Sequence, residues 1–360
     1  MQTIKNVYFC KNIELLNDIH RINMKNFIKH VTIHNFKSIA DLELEDCRRI
    51  NLFIGYPNVG KSNVLEALGL SNVLFLDFGE NLKKFIRVEN KNDLFYNVSD
   101  KTCSIETNIE TVKFNSELQF KIFRETYNEI VCQFSKQLDL EYTNFEPHGE
   151  FYDCSDKSIV LKYIFNLKNE WKSIGDEFLL PPFGANIIDT LSDNDNVSEV
   201  NAWIKQELAK NGLEYLLDIV SSSIKVQQRL NDNKIKQLPY SSLSDTLQRV
   251  IFYKTAIASN KNSVLLFEEP EAHAFPPYIK NITQDIIDAK TNQFFIVTHS
   301  PFIVNDFLEY ADVRKEVAIY LFDFKNNRTI VKRLTDEELD EVYDYGIDLF
   351  FNIESFLRDE

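Results

Sequence analysis

The five cysteines of this 360-residue chain, Cys10, Cys47, Cys103, Cys132 and Cys154, never fall at a C-x-x-C spacing. That argues against a zinc site and a disulfide framework, and fits a reducing cytoplasm. No apolar run approaches the roughly eighteen residues of a membrane span, and Met1 to Lys29 lacks the apolar core of a signal peptide. A soluble, cytoplasmic protein is expected. A long heptad array is missing too, which counts against an extended coiled-coil arm. Positive charge is scarce: 40 Lys and Arg face 55 Asp and Glu, for a net charge of −15. A surface that grips nucleic acid everywhere is therefore disfavoured. The imbalance is uneven. Residues 336–360 hold ten acids against Arg358, whereas residues 1–37 hold six Lys and Arg against Glu14 and Asp18. The acidic tail reads either as a solvated helix face or as a docking surface for a basic partner.

What the chain does have is apolar material, 44% hydrophobic with 29 Phe and 15 Tyr, enough for one large domain with an insertion or for two domains. It also has a complete G-x-x-x-x-G-K-[ST] loop, Gly55-Tyr56-Pro57-Asn58-Val59-Gly60-Lys61-Ser62, set between the apolar run Ile50 to Ile54 and a helical pattern from Asn63. Such a loop wraps backbone N–H groups around phosphates at the positive end of a helix. Lys61 is placed to reach the β- and γ-phosphates and the Ser62 hydroxyl to join a Mg²⁺ ion, so ATP and Mg²⁺ are the expected cofactors.

Taken in order, Val31 to Phe36 and Ile39 to Leu44 alternate as strands around a turn at Lys37-Ser38, and Ile50 to Ile54 reads as a covered strand of the same sheet. Val64, Leu65, Ala67, Leu68 and Leu70 give a helical face behind the loop. Ser104 to Phe114, Ser116 to Phe123, Ile130 to Phe134 and Ile159 to Leu167 read as strands, with polar turns at 90–101, 152–158 and 192–198. Helical periodicity is expected through Val197 to Asn211, Leu213 to Ser222 and Ile224 to Lys236. His148 and Cys154 show no metal-ligand spacing and are assigned a structural role.

Downstream, Leu243-Ser244-Asp245-Thr246-Leu247-Gln248-Arg249 opens an amphipathic helix, and Ser242 with Asp245 has capping-box spacing. An apolar strand, Ser263 to Phe267, ends in Glu268-Glu269-Pro270-Glu271-Ala272-His273. Two carboxylates at a buried strand end suit a pair in which one steadies Mg²⁺ and the other polarises water. The buried strand Phe294 to Val297 delivers Thr298-His299-Ser300-Pro301. Strands at Val317 to Phe324 and Thr329 to Leu334 and helices at Asp336 to Tyr343 and Ile347 to Leu357 complete the chain.

Asn35-Phe36-Lys37-Ser38-Ile39, followed by Asn51 to Gly55 and Asn58 ahead of Gly60-Lys61-Ser62-Asn63, resembles the opening of ABC-type ATPase heads of the SMC, Rad50 and RecF group. The likeness is strongest to their bacterial OLD-like AAA-15/AAA-21 relatives. The resemblance implies an α/β P-loop ABC-type ATPase head with a β-rich and helical insertion between Walker A and the signature motif. It implies nucleotide contacts from Asn58, Gly60, Lys61, Ser62 and Asn63, with support from Lys37 and Ser38; the alternative for Lys37 is a surface turn lysine. Ser244 takes the place of the signature serine, though the usual Gly-Gly is missing. By the same resemblance Glu268 joins Ser62 at the metal, Glu269 is the catalytic base, His299 is the switch histidine, and Ala272-His273 form the D-loop. Gln119 and Gln133 are the candidates for the Q-loop glutamine.

The expected divisions are a possible N-terminal extension at 1–23, an N-lobe with Walker A at 24–75, an arm and helical insertion at 76–236, a C-lobe at 237–335, and acidic helices at 336–360. In the resembled group two heads pair head to tail around two ATP molecules, so a homodimer or higher homo-oligomer is implied. The implied role is an ATP-gated sensor or regulatory subunit of an antiphage defence system resembling PARIS or Septu, controlling a separate effector such as a nuclease or Toprim protein. Too few residues follow His299 for a fused Toprim nuclease. The alternatives are a RecF/Rad50-like repair ATPase acting directly on DNA, and a scaffold that binds ATP with little hydrolysis.

Overall fold

β1 (Val31–Phe36) and β2 (Ile39–Leu44) alternate between buried and more open positions, as a sheet with one covered face requires. In the computed structural model, which describes residues 27–75, 82–100, 102–126, 129–137, 160–167, 171, 178–193, 195–218, 223–230 and 234–358, this hairpin does not share a sheet with the Walker strand. It extends instead through β4 (Thr102–Thr107), β5 (Thr111–Asn115), β6 (Gln119–Thr126) and β7 (Glu129–Gln137) into an antiparallel sheet of order β2-β1-β4-β5-β6-β7. The stretch Ser104 to Phe114, expected as one strand, is two. The Thr107 hydroxyl accepts from the N–H groups of Ile109 and Glu110, at 3.2 and 2.9 Å, and so fixes a tight turn between them.

β3 (Ile50–Gly55) is buried at every position. It lies within a second sheet, flanked by β14 (Val317–Lys325) and β13 (Gln293–Val297), followed outward by β12 (Val264–Glu268) and β8 (Val160–Tyr163), all parallel. β15 (Arg328–Arg333) closes the other edge antiparallel. A mostly parallel sheet must be covered on both faces, and it is. On one side lie α1 (Lys61–Leu68) and the antiparallel sheet, packed on Phe53, Phe295, Val297 and Phe322. On the other lie α2 (Ile187–Asp193), α3 (Ser198–Ala209), α4 (Asp245–Ser259), α5 (Pro276–Asp288), α6 (Pro301–Glu309), α7 (Asp336–Asp344) and α8 (Leu349–Leu357), packed on Leu52, Ile54, Phe267 and Ile296.

The helices expected over Leu213 to Ser222 and Ile224 to Lys236 are instead a three-stranded antiparallel sheet. It comprises β9 (Leu213–Asp218), β10 (Ser223–Arg229) and β11 (Ile235–Pro239) in the order β11-β10-β9. Ile224 and Val226 are buried on one face. Cross-strand charge pairs, Arg229 with Glu214 at 2.7 Å and Lys225 with Asp218, hold the register. His148, Cys154 and residues 1–23 lie outside the described residues. Among the described residues no helix is long and apolar enough to cross a membrane.

Candidate functional site

β3, β13 and β12 are neighbours in one parallel sheet, so their C-terminal ends deliver three loops to one edge, where open α/β sheets bind ligands. The loop after β3 is the Walker loop. Asn58 and Gly60 hold positive φ, 63° and 104°, which turns the backbone into the first turn of α1. Gly60 is required twice over: a Cβ there would stand 2.1 Å from Thr329 Oγ1 and 2.9 Å from Ser38 Oγ. Beneath the loop, Ser38 Oγ bonds Thr329 Oγ1 at 2.7 Å and accepts from Asn63 Nδ2 at 2.7 Å. Ser38 and Asn63 thus brace the start of α1 from below.

Lys61 Nζ folds back over the loop and donates to the carbonyls of Gly55 (2.7 Å) and Tyr56 (2.8 Å). Burial lowers its ammonium to about 8, against the attraction of Glu269 and Glu268. No side chain caps the first turn of α1, which leaves its N–H groups available to an anion.

β12 ends at Glu268, and Glu269 follows in a positive-φ conformation of 45° with its N–H bonded to Val297 O at 2.8 Å. The Glu269 carboxylate lies 3.5 Å from His299 Nε2. Burial, then Lys61, hold the His299 imidazolium below its ordinary value, while Glu269 pulls it upward. A mostly neutral imidazole beside a carboxylate can accept a proton or orient a water. Glu271 fixes this switch segment: its Oε1 accepts from Thr298 Oγ1 at 2.6 Å and from the His299 N–H at 2.9 Å. Burial raises the Glu271 carboxyl, and its second oxygen is buried without a partner.

Glu268 is bridged to the Walker helix. Arg87 Nη2 reaches Glu268 Oε1 at 2.8 Å and Arg87 Nε reaches Glu66 Oε1 at 3.1 Å. The other Glu66 oxygen pairs with Lys37, whose ammonium also donates to Arg87 O at 2.8 Å. Burial pushes Glu66 upward, but Lys162, Lys37 and Arg87 together hold it below the usual carboxylate range. Lys37, expected near the nucleotide, has its ammonium turned inward onto Glu66.

Ser244 lies elsewhere. It is the N-cap of α4, accepting from Leu247 N at 3.3 Å. The capping box proposed for Ser242 and Asp245 is not formed, because Ser242 Oγ donates to Pro239 O at 2.7 Å. α4 packs on the face of the central sheet opposite α1. Its first turn is tied to the D-loop, where Thr246 Oγ1 donates to His273 O at 2.6 Å. The Q-loop candidates do not join the site. Gln119 starts β6, bonded to Asn115 at 2.8 Å, and Gln133 sits in β7, both at the far end of the antiparallel sheet. The strand beside β12 is β8.

The fold brings together Lys61, Glu268, Glu269 and His299, which the sequence singled out, and sets beside them Glu66, Arg87, Glu271 and Thr329, which it did not. Glu66 carried a usable signal, a charge on the apolar face between Leu65 and Ala67; Arg87 carried none.

The oxygens of Ser62 and Glu268 suit Mg²⁺ held partly by phosphates, the usual arrangement for this ion. Among the described residues no cluster of three or more His, Cys, Asp or Glu could hold a metal alone.

A family model described as "AAA domain, putative AbiEii toxin, Type IV TA system" matches residues 179–305, which include Ser244, Glu268, Glu269 and His299. An "ATP/GTP phosphatase" of Helicobacter pylori is 24% identical over 334 residues, 79% of this chain and 87% of that protein. An uncharacterized protein of Methanocaldococcus jannaschii is 37% identical over 70 residues, 19% of this chain and 30% of that protein. The DNA replication and repair protein RecF of Clostridium kluyveri is 27% identical over 99 residues, 28% of this chain and 24% of that protein. The chain thus spans a third or less of the length of these last two. Among solved structures, the SMC head bound to the C-winged helix domain of ScpA superposes with a TM-score of 0.52 at 16% identity, covering 87% of this chain and 99% of that one. The fold is that of a P-loop ABC-type ATPase head.

Proposed function

We propose that the protein is a Mg²⁺-dependent ATPase whose active form is a head-to-tail homodimer with two composite ATP sites. The observation that carries this is the meeting of Lys61, Glu268, Glu269 and His299 at one sheet edge while Ser244 sits across the sheet. One copy offers a phosphate loop and a water-activating pair; the helix end that would close over the γ-phosphate must come from a second copy. Three large apolar side chains beside these loops, Tyr56, Phe275 and Phe302, are exposed by 47, 64 and 56%. Such a patch favours cover by another chain.

In this reading the α1 N–H groups and Lys61 hold the phosphates, and Ser62 with Glu268 would hold the metal, which would supply charge neutralisation when bound. Glu269 takes a proton from the attacking water, and His299, clamped by Glu271, orients that water. Lys37 and Ser38 support the loop from beneath. The related role is control of a separate effector in an antiphage module, as in the OLD-like AAA-15/AAA-21, PARIS and Septu systems that the motifs resemble. The family match to an AbiEii-type domain is in keeping with a two-component arrangement. The net charge of −15 disfavours the RecF-like reading in which the chain grips DNA itself.

Phosphate release by wild type and by Glu269→Gln tests the proposal. A loss on the order of a hundredfold is expected from removing a general base. Equal rates in the two proteins contradict it, and equal near-zero rates favour the ATP-binding scaffold.

A further inference from the structure

Between α6 and the α7–α8 hairpin runs a groove of about 420 Å³. Its exposed apolar lining comes from Tyr343, with Ile347 and Phe350 half-buried beside it, and its polar lining includes Asp306, Glu309 and Asp348. No Lys, Arg or His lines it. Among the described residues no cation pairs with those three carboxylates: Asp306 accepts from Thr283 Oγ1 at 2.7 Å, Asp348 caps α8 through Phe350 N, and Glu309 is exposed. Elsewhere on the same helices acids are neutralised, as in Arg48 with Asp336 at 2.7 Å and Lys332 with Glu338 at 3.1 Å. Asp306, Glu309 and Asp348 are thus left at the groove without a cation among the described residues.

We infer that this groove is the docking site for a basic amphipathic helix of a partner protein. The occupant's chemistry follows from the lining: an apolar ridge to pack on Tyr343, Ile347 and Phe350, and Lys or Arg on both flanks to meet Asp306, Glu309 and Asp348. A neutral or acidic segment would leave three carboxylates facing an apolar body, which is unfavourable. The position also gives the docked helix a route to the nucleotide site. Pro301, at the start of α6, lines the groove and stands two residues after His299. Asp306 ties α6 to α5, which begins just after the D-loop. A helix seated here leans on the element that directly follows His299. The inference rests on the reading of the chain as an ATPase that controls a partner, and it names the surface where that control enters.

The probe is a fluorescein-labelled fourteen-residue Leu/Lys peptide with apolar residues at helical spacing, matched by a Leu/Glu peptide of the same spacing, both titrated with the full chain and read by anisotropy. The Leu/Lys peptide is expected to bind and the Leu/Glu peptide not. The surface double variant Asn305→Lys/Glu309→Lys, which touches no residue of the nucleotide site, is expected to weaken binding at least about tenfold while melting as wild type does. Equal binding of the two peptides, or wild-type affinity in the double variant, overturns the inference. So does displacement of the probe by a peptide of residues 1–26, which would make this chain's own N-terminus the occupant, or a concentration-dependent loss of the groove to a second copy in sedimentation. Phosphate release is measured in the same samples. In wild type, hydrolysis without Leu/Lys peptide binding refutes the groove alone, and peptide binding without hydrolysis refutes the ATPase reading alone.

Discussion

Replacing Lys37 by Met removes one cation from a buried carboxylate and leaves a stem of similar length in place. The Glu66 side chain is 1% exposed and that of Lys37 9%, whereas Arg87, the other direct partner, is 68% exposed. Stripping the partner from a buried pair costs about 3–5 kcal/mol. Here Arg87 stays bonded and the buried Lys162 still attracts Glu66, so about 2 kcal/mol is expected. For a chain of this size that is a fall in Tm of about 3 °C. The pH dependence fixes the cause. Glu66 is held below its ordinary value of 4.5, so the stability it contributes is complete above that pH and is lost as pH falls through the folded-state value. The gap between wild type and variant should be full at pH 7 and should narrow below about pH 4.5. Calorimetry at pH 7, 5 and 4 reads both, and ADP affinity measured well below the melting range should stay within about threefold. A gap that does not narrow with acid refutes the reasoning. A tenfold loss of ADP affinity without a change in Tm would instead place the Lys37 ammonium on the nucleotide.

Gly60→Ala puts a Cβ against Thr329 at a φ of 104°, so a loss of about 3 kcal/mol and of detectable ADP binding is expected; an unchanged Tm with intact titration calorimetry would contradict the geometry. Because burial holds free Lys61 at about 8, ADP binding must take up a proton above that pH. Affinity should be flat below pH 8 and weaken toward about tenfold per pH unit above it, a slope that Lys61→Ala abolishes. A flat profile to pH 9.5 in wild type would be inconsistent with a buried, uncharged lysine.

The chemistry at the sheet edge was legible because it is local. Gly55 to Ser62, Glu268-Glu269 and Thr298-His299 each follow a short apolar strand, and a parallel sheet brings such strand ends together whatever the intervening chain does. Pairings across distance were not legible. Arg87 meets Glu268 and Thr329 meets Gly60 only through the tertiary fold. The misread helices over Leu213 to Lys236 have a physical reason: Leu213, Leu216 and Leu217 fit a helical stripe as well as a strand, and what decides is the partner strand that sets Gln227 opposite Glu214 and brings Arg229 to it diagonally. The cap at α4 turned on which serine faced the helix. Ser242 bonds back to Pro239, and Ser244 is left to accept from Leu247.

The composite site is tested most directly by mixing two inactive proteins, Lys61→Ala with a broken phosphate loop and Ser244→Arg with a broken signature. If each site takes its loop from one copy and its signature from another, a mixed dimer holds one intact site. Random pairing then restores about a quarter of the wild-type rate of phosphate release. A mixture no more active than the average of the two variants would show that a single copy works alone, and would contradict the account.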